Sequence, residues 1–264
     1  MRCGKCVLLF LILASGFWAC ERPRVKVIHK AVKSPEDIVP IDSSLVKPYD
    51  YSSVVSLEGL DAQERKQKFV DLLLPAILVA KLHFSDTLEM LKRIDSRDPE
   101  GLEKEDTLFL NRLMLTYRAD DEEQLIRKLH THPNSIVLAQ AALESGWGTS
   151  RFFLKANNVF GVWSFNEDEP RIEASSSRNG IEIYLKKYRY LSESIEDYFR
   201  TLARGPYRDF RIARTQTDNP YQLIPLLKNY SENDSIYAAH LRQVIRFNDL
   251  QKYDDYRIDP EYLR

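Results

Sequence analysis

Cysteine is missing from almost the whole chain. Cys3, Cys6 and Cys20 all fall in the first twenty residues, so the rest has no disulfide framework, no thiol nucleophile and no cysteine metal site. Glycine is scarce too, nine in 264 residues. There is no Gly-x-Ser-x-Gly elbow, no phosphate-binding glycine loop and no dinucleotide fingerprint. No internal repeat is present, and no charge excess of either sign. Lys and Arg number 38 against 39 Asp and Glu, and loss of the first twenty residues with Arg2 and Lys5 leaves 36 against 39. A nucleic-acid binder would show a basic excess, so that class is set aside. His130-Thr-His132 has metal-like spacing but sits before a proline at a helix end, with no accompanying carboxylate pattern, and reads as structural.

The longest apolar run near the start, Val7 to Ala14, is too short to span a bilayer and follows a short basic stretch, which predicts a secretory signal over residues 1–20. Gly16-Phe-Trp-Ala-Cys20 resembles a bacterial lipoprotein cleavage box, with Ala19 in the small position before the cysteine to be lipidated; Phe17 and Trp18 depart from the usual preceding residues. The expectation is an exported protein of the cell envelope, anchored through Cys20 and facing the periplasm. Ordinary secretion and a retained anchor are the alternatives. Residues 21–58, broken by Pro23, Pro35, Pro40 and Pro48, show no sustained period and read as a flexible tether.

From residue 59 helical patterning dominates. Asp61-Ala-Gln-Glu64 predicts a capped helix carrying Phe69, Leu72 and Leu73, with Pro75 kinking it or starting another. Further helices are expected near 103–117, 121–130, 192–203, 207–215, 220–230 (capped by Asp218 or Asn219) and 235–247. Between them, residues 157–190 turn aromatic and β-branched, which predicts a two- or three-stranded lobe. The fold class is mainly α, with a small β-lobe.

The helix over 135–145 is different from the rest. Between Ile136 and Leu143 only Gln140 is polar, so the helix is apolar all round and belongs at the centre of the domain. At its tail stands Glu144, followed by Ser145-Gly-Trp-Gly148. Apolar neighbours and the negative end of the helix dipole both favour the neutral carboxyl. A protonated carboxyl is what a general acid needs to protonate a glycosidic oxygen. Gln140, one turn earlier, can point into the same cleft. Asn157 and Asn158 offer hydrogen bonds, and Trp147, Phe152, Phe153, Phe160 and Trp163 offer flat surfaces for sugar rings. The second carboxylate is open between Glu173, which is favoured, and Glu182, while Glu167, Asp168 and Glu169 read as a solvated loop.

Ala139-Gln-Ala-Ala-Leu-Glu-Ser-Gly-Trp-Gly148, followed by Asn157-Asn158-Val-Phe-Gly161, resembles the glucosaminidase family of peptidoglycan hydrolases, the group of the flagellar rod muramidase and Listeria-type autolysins. The resemblance covers about 69–250. Leu72-Leu-Leu-Pro75, Tyr230-Ser-Glu and Ile245-Arg-Phe-Asn-Asp-Leu250 make it most similar to bacterial Bax-like proteins. It implies a lysozyme-like helical domain, hydrolysis of the N-acetylglucosaminyl-β-1,4-N-acetylmuramyl bond, and Glu144 as the acid. It also implies a tyrosine from a Tyr-Ala-Thr-like motif, for which Tyr230 is the candidate, lining the acetamido site. No metal or organic cofactor is expected, and the protein is expected to be a monomer acting on glycan strands. Many members carry a Thr-Glu-Tyr-like acidic segment where this chain has Arg171-Ile-Glu-Ala-Ser-Ser-Ser-Arg-Asn-Gly180, and the ambiguous register leaves the second group unassigned. Cleavage of the alternate bond by a muramidase or lytic transglycosylase, and a non-catalytic wall-binding scaffold, are the competing readings.

Overall fold

The computed structural model describes residues 25–96, 101–174, 182–228, 230 and 234–263. The expected signal, Cys20 and its lipidation all lie outside the described residues.

The spine is α1 (Ala62–Asp95), 34 residues long. Asp61 caps it, its carboxylate accepting from the backbone N–H groups of Gln63 and Glu64. Every residue from Phe69 to Ala80 is buried, so Pro75 lies inside one continuous helix rather than starting a second. A surrounding core supplies the stabilisation that a proline removes from an isolated helix. Around α1 pack α3 (Glu122–Leu129), α4 (Asn134–Ser145) and α6 (Leu191–Arg204), while α2 (Lys104–Tyr117) covers α3 and α6. α5 (Arg151–Ala156) follows α4, and α7 (Arg208–Ala213) lies against α3. α8 (Pro220–Leu223), capped by Asn219, gives way to a 3-10 turn at Pro225 where a longer helix was expected. α9 (Asp234–Phe247) packs on α4.

The start of α4 shows how the core recruits distant groups. Its N-cap position is Pro133, which offers no side-chain acceptor. Asp254, far along the chain, supplies it instead, accepting from Ser135 N at 2.7 Å and Ser135 Oγ at 2.9 Å. Asn134 donates to the Tyr253 carbonyl and accepts from the buried Lys81 ammonium.

Residues 25–58 are not a tether. β1 (Ile28–Ala31) and β3 (Tyr49–Ser53) form a parallel pair, and β2 (Leu45–Val46) pairs with β7 (Arg257–Ile258) near the chain end. Ile38, Tyr51 and Leu57 are fully buried in the common core. Asp50 reaches across to Ser192, accepting from its backbone N–H and its hydroxyl at the start of α6. The expectation failed because the strands are two to five residues long and their partners are distant, so no local period marks them.

The β-lobe lies where it was expected. β4 (Trp163–Ser164), β5 (Arg171–Glu173) and β6 (Tyr184–Lys186) form an antiparallel sheet in the order β4-β6-β5.

Because Tyr51 is buried and its hydroxyl accepts from Val39 N, Tyr51→Ala is expected to cost about 3–5 kcal/mol of unfolding free energy in a denaturant titration. A tether residue would show no change.

Candidate active site

α4 is buried along almost its whole length and surfaces only in its last turn. Glu144 is the penultimate residue of that turn. Its carboxyl reaches solvent yet is crowded by protein on the other side, and this desolvation raises its pKa above the ordinary 4.5. One group opposes the shift: the Tyr237 hydroxyl donates to Glu144 Oε1 at 3.1 Å and favours the carboxylate.

The Ser-Gly-Trp-Gly segment after Glu144 is a backbone device. Gly146, Trp147 and Gly148 all take positive φ, at 60°, 57° and 81°. Ser145 Oγ donates to the Ala141 carbonyl and accepts from Gly148 N, closing the turn. A Cβ at Gly148 would stand 3.1 Å from the Phe69 ring and 3.2 Å from Phe153. Trp147 is left-handed without being glycine, at a cost of about 1 kcal/mol, and is held there by packing. Its ring meets Phe69 edge-on at 5.5 Å, with the Lys66 ammonium 5.3 Å from its centroid.

Several residues expected to bind substrate are therefore spent on structure. Trp147 packs on α1. Phe160 is buried and stacked on Tyr198 at 4.2 Å, and Phe153 is fully buried. Asn157 caps α5 in the left-handed conformation, and its amide donates to the carbonyls of Ser52, Tyr188 and Arg189. The Asn158 amide donates to Val162 and Lys186 carbonyls and its oxygen accepts from Val162 N. These two asparagines join the N-terminal strands, the β-lobe and α5, and their amide N–H groups are engaged by backbone carbonyls rather than offered to a ligand. Gln140 is fully buried as well, between Tyr198 and Tyr237. Trp147 and Phe152 are half-buried, and Trp163 is the most exposed of these aromatics, with the still more exposed Phe165 at 6.1 Å.

Tyr230 does not touch Glu144. It lies behind the site, stacked on Tyr237 at 5.4 Å and close to Tyr198 and Tyr207. The tyrosine at the acid is Tyr237, which the sequence reading missed. The signal was present, since Tyr237-Ala-Ala keeps the Tyr-Ala of the motif and Tyr230-Ser-Glu does not.

On the lobe, Glu173 is exposed on β5, and its carbonyl accepts from Arg151 of α5. Glu182 accepts from its own lobe's Tyr184 hydroxyl at 2.8 Å. Glu169 is no solvated loop residue; it accepts from Ser164 Oγ and pairs with Lys186.

Glu144, raised by burial at the last turn of a core helix and met by a tyrosine hydroxyl, has the protonation preference that glycoside cleavage asks of a general acid. The glucosaminidase family, described as mannosyl-glycoprotein endo-beta-N-acetylglucosaminidase, matches residues 120–250. That stretch, just under half of the chain, is what is similar to the family. The exo-glucosaminidase LytG of Bacillus subtilis is 29% identical over 147 residues, 50% of this chain and 49% of that protein. Protein bax of Escherichia coli is 29% identical over 124 residues, 44% of this chain and 43% of that one. The catalytic domain of the autolysin Auto from Listeria monocytogenes has a TM-score of 0.41 at 22% identity, covering 62% of this chain and 94% of that domain. The chain thus spans about half the length or less of these two curated relatives.

If Asn157 is a junction residue, Asn157→Ala should cost about 1–3 kcal/mol in unfolding free energy through carbonyls left without donors. Affinity of the folded protein for glycan, measured by sacculus pull-down, should be unchanged.

Proposed function

We propose that the chain is a peptidoglycan hydrolase, an endo-β-N-acetylglucosaminidase cutting β-1,4 bonds of cell-wall glycan strands. The observation that carries this reading is the Glu144 carboxyl, raised by burial at the end of α4 and approached by the Tyr237 hydroxyl. Glu144 protonates the leaving oxygen. Tyr237 takes the place beside the acid first assigned to Tyr230, and Trp163 with its exposed face is the sugar platform. Glu173 is the candidate second group, because Glu182 is engaged by Tyr184. The match to the family supports the substrate class, as does the name of the exo-glucosaminidase relative. Export and a lipid anchor at Cys20 follow from the first twenty residues. No helix among the described residues is long and apolar enough to cross a membrane.

Digestion of purified peptidoglycan, borohydride reduction of new ends and mass spectrometry test the reading. Long fragments with reduced N-acetylglucosamine ends are expected. Reduced or anhydro muramic ends would change the bond or the reaction, and an intact polymer with bound protein would leave a scaffold. Glu144→Gln should lower turnover by at least ~10²–10⁴-fold with binding kept, and full activity would overturn the site. Glu173→Gln and Glu182→Gln should differ sharply, and equal mild losses would point to assistance by the substrate's acetamido group.

The pH profile carries a sign. A general acid works while protonated, so turnover should fall as pH rises through the Glu144 midpoint, which lies above the ordinary 4.5. A midpoint at or below the ordinary value would mean that burial does not govern this carboxyl.

A further inference from the structure

Behind Glu144 a single file of hydrogen bonds runs into the core. His132 Nε2 stands 2.8 Å from the Tyr198 hydroxyl, which donates to Gln140 Oε1 at 2.6 Å. Gln140 Nε2 donates to the Tyr237 hydroxyl at 3.0 Å, and Tyr237 donates to Glu144 Oε1 at 3.1 Å. The four residues come from the segment before α4, from α6, from α4 itself and from α9. His132, Gln140 and Tyr198 are all but inaccessible to solvent.

Proton bookkeeping gives the file one direction. A tyrosine hydroxyl has one proton to give, and Tyr198 gives it to Gln140, so His132 must donate from Nε2. His132 Nδ1 has no partner among the described residues, which suits an unprotonated ring nitrogen far better than a buried N–H. Burial and the neighbouring cations Arg214 and Lys81 hold His132 neutral. The other titratable groups near the file are Tyr230, packed beside Tyr198 and Tyr237, and Tyr207, packed beside Tyr230. Burial raises Tyr198, Tyr230 and Tyr237 far above the tyrosine range, so these three remain donors.

An amide is nearly symmetric in shape, and nothing about Gln140 alone decides which end meets Tyr237. With its oxygen turned toward Tyr237, that hydroxyl would donate to Gln140 and abandon Glu144. We propose that His132 and Tyr198 are positioning residues that fix the orientation of the Gln140 amide and thereby aim the Tyr237 proton at Glu144. The proposal deepens the reading of Glu144 as the acid and rests on it for functional meaning.

The test is carbon-13 NMR of the full chain with carboxyl-labelled glutamate, the Glu144 signal being assigned by its loss in Glu144→Gln. Tyr237→Phe removes the donor and is expected to raise the Glu144 midpoint. Tyr198→Phe, which touches neither Glu144 nor Tyr237 by hydrogen bond, is expected to raise it by at least half as much. A Tyr198→Phe midpoint equal to that of the wild type, or no shift in Tyr237→Phe, overturns the proposal. Nitrogen-15 NMR of the unsubstituted protein tests it without any variant, the expected result being a neutral His132 protonated on Nε2. An Nδ1–H tautomer or an imidazolium overturns it. Neither measurement uses turnover, so hydrolysis by Glu144→Gln would remove Glu144 as the acid without altering either result.

Discussion

The burial of α4 on every side until its final turn is the constraint on which the site depends. A helix so enclosed cannot tolerate an unpaired polar group, because an unmet donor or acceptor there costs about 1–3 kcal/mol. Gln140, its one polar residue between Ile136 and Leu143, has to be met from other helices, and Tyr198 of α6 and Tyr237 of α9 meet it. The same burial fixes where the helix emerges. Three consecutive left-handed residues turn the chain away immediately after Glu144 and Ser145, so the carboxyl is left at the boundary between core and solvent. Position and electrostatics of the acid thus share one cause.

Polar groups elsewhere in the core follow the same logic. Ser135 at the head of α4 is met by Asp254, and Ser192 at the head of α6 by Asp50. At α4 the distant carboxylate stands in for a local cap, and at α6 it adds to Glu193, which accepts from the N–H groups of Arg189 and Tyr190. Asn157 and Asn158 do comparable work at the root of the β-lobe, holding carbonyls from three segments. The β-lobe is therefore anchored through the residues that looked, by type and spacing, like ligand-binding amides.

Much of this was legible along the chain. The apolar surround of Gln140, the glutamate at the helix tail and the nearby glycines depend on neighbours in sequence, and these placed the acid, the buried helix and the β-lobe within a few residues. Asp61 as a cap and the strands near Trp163 and Tyr184 were equally local signals. Residues 25–58 escaped because their short strands pair in parallel, β1 with β3 across about twenty residues of irregular chain and β2 with β7 near the chain end. Phe153 and Phe160 were read as sugar surfaces for a related reason: an aromatic suited to a sugar is equally suited to a core, and only its neighbours decide between them.

Sequence by itself determined that one carboxyl would stand at the end of an apolar helix among aromatics, since periodicity and composition act within a few turns of chain. Only the tertiary structure decided that Tyr237 rather than Tyr230 meets this carboxyl, and that the amide N–H groups of Asn157 and Asn158 are engaged by the scaffold. It also decided that His132 lies at the far end of the same hydrogen-bond file. Those outcomes turn on distances between helices remote in sequence and on which donors are left once every buried acceptor has been met, and no local pattern carries that information.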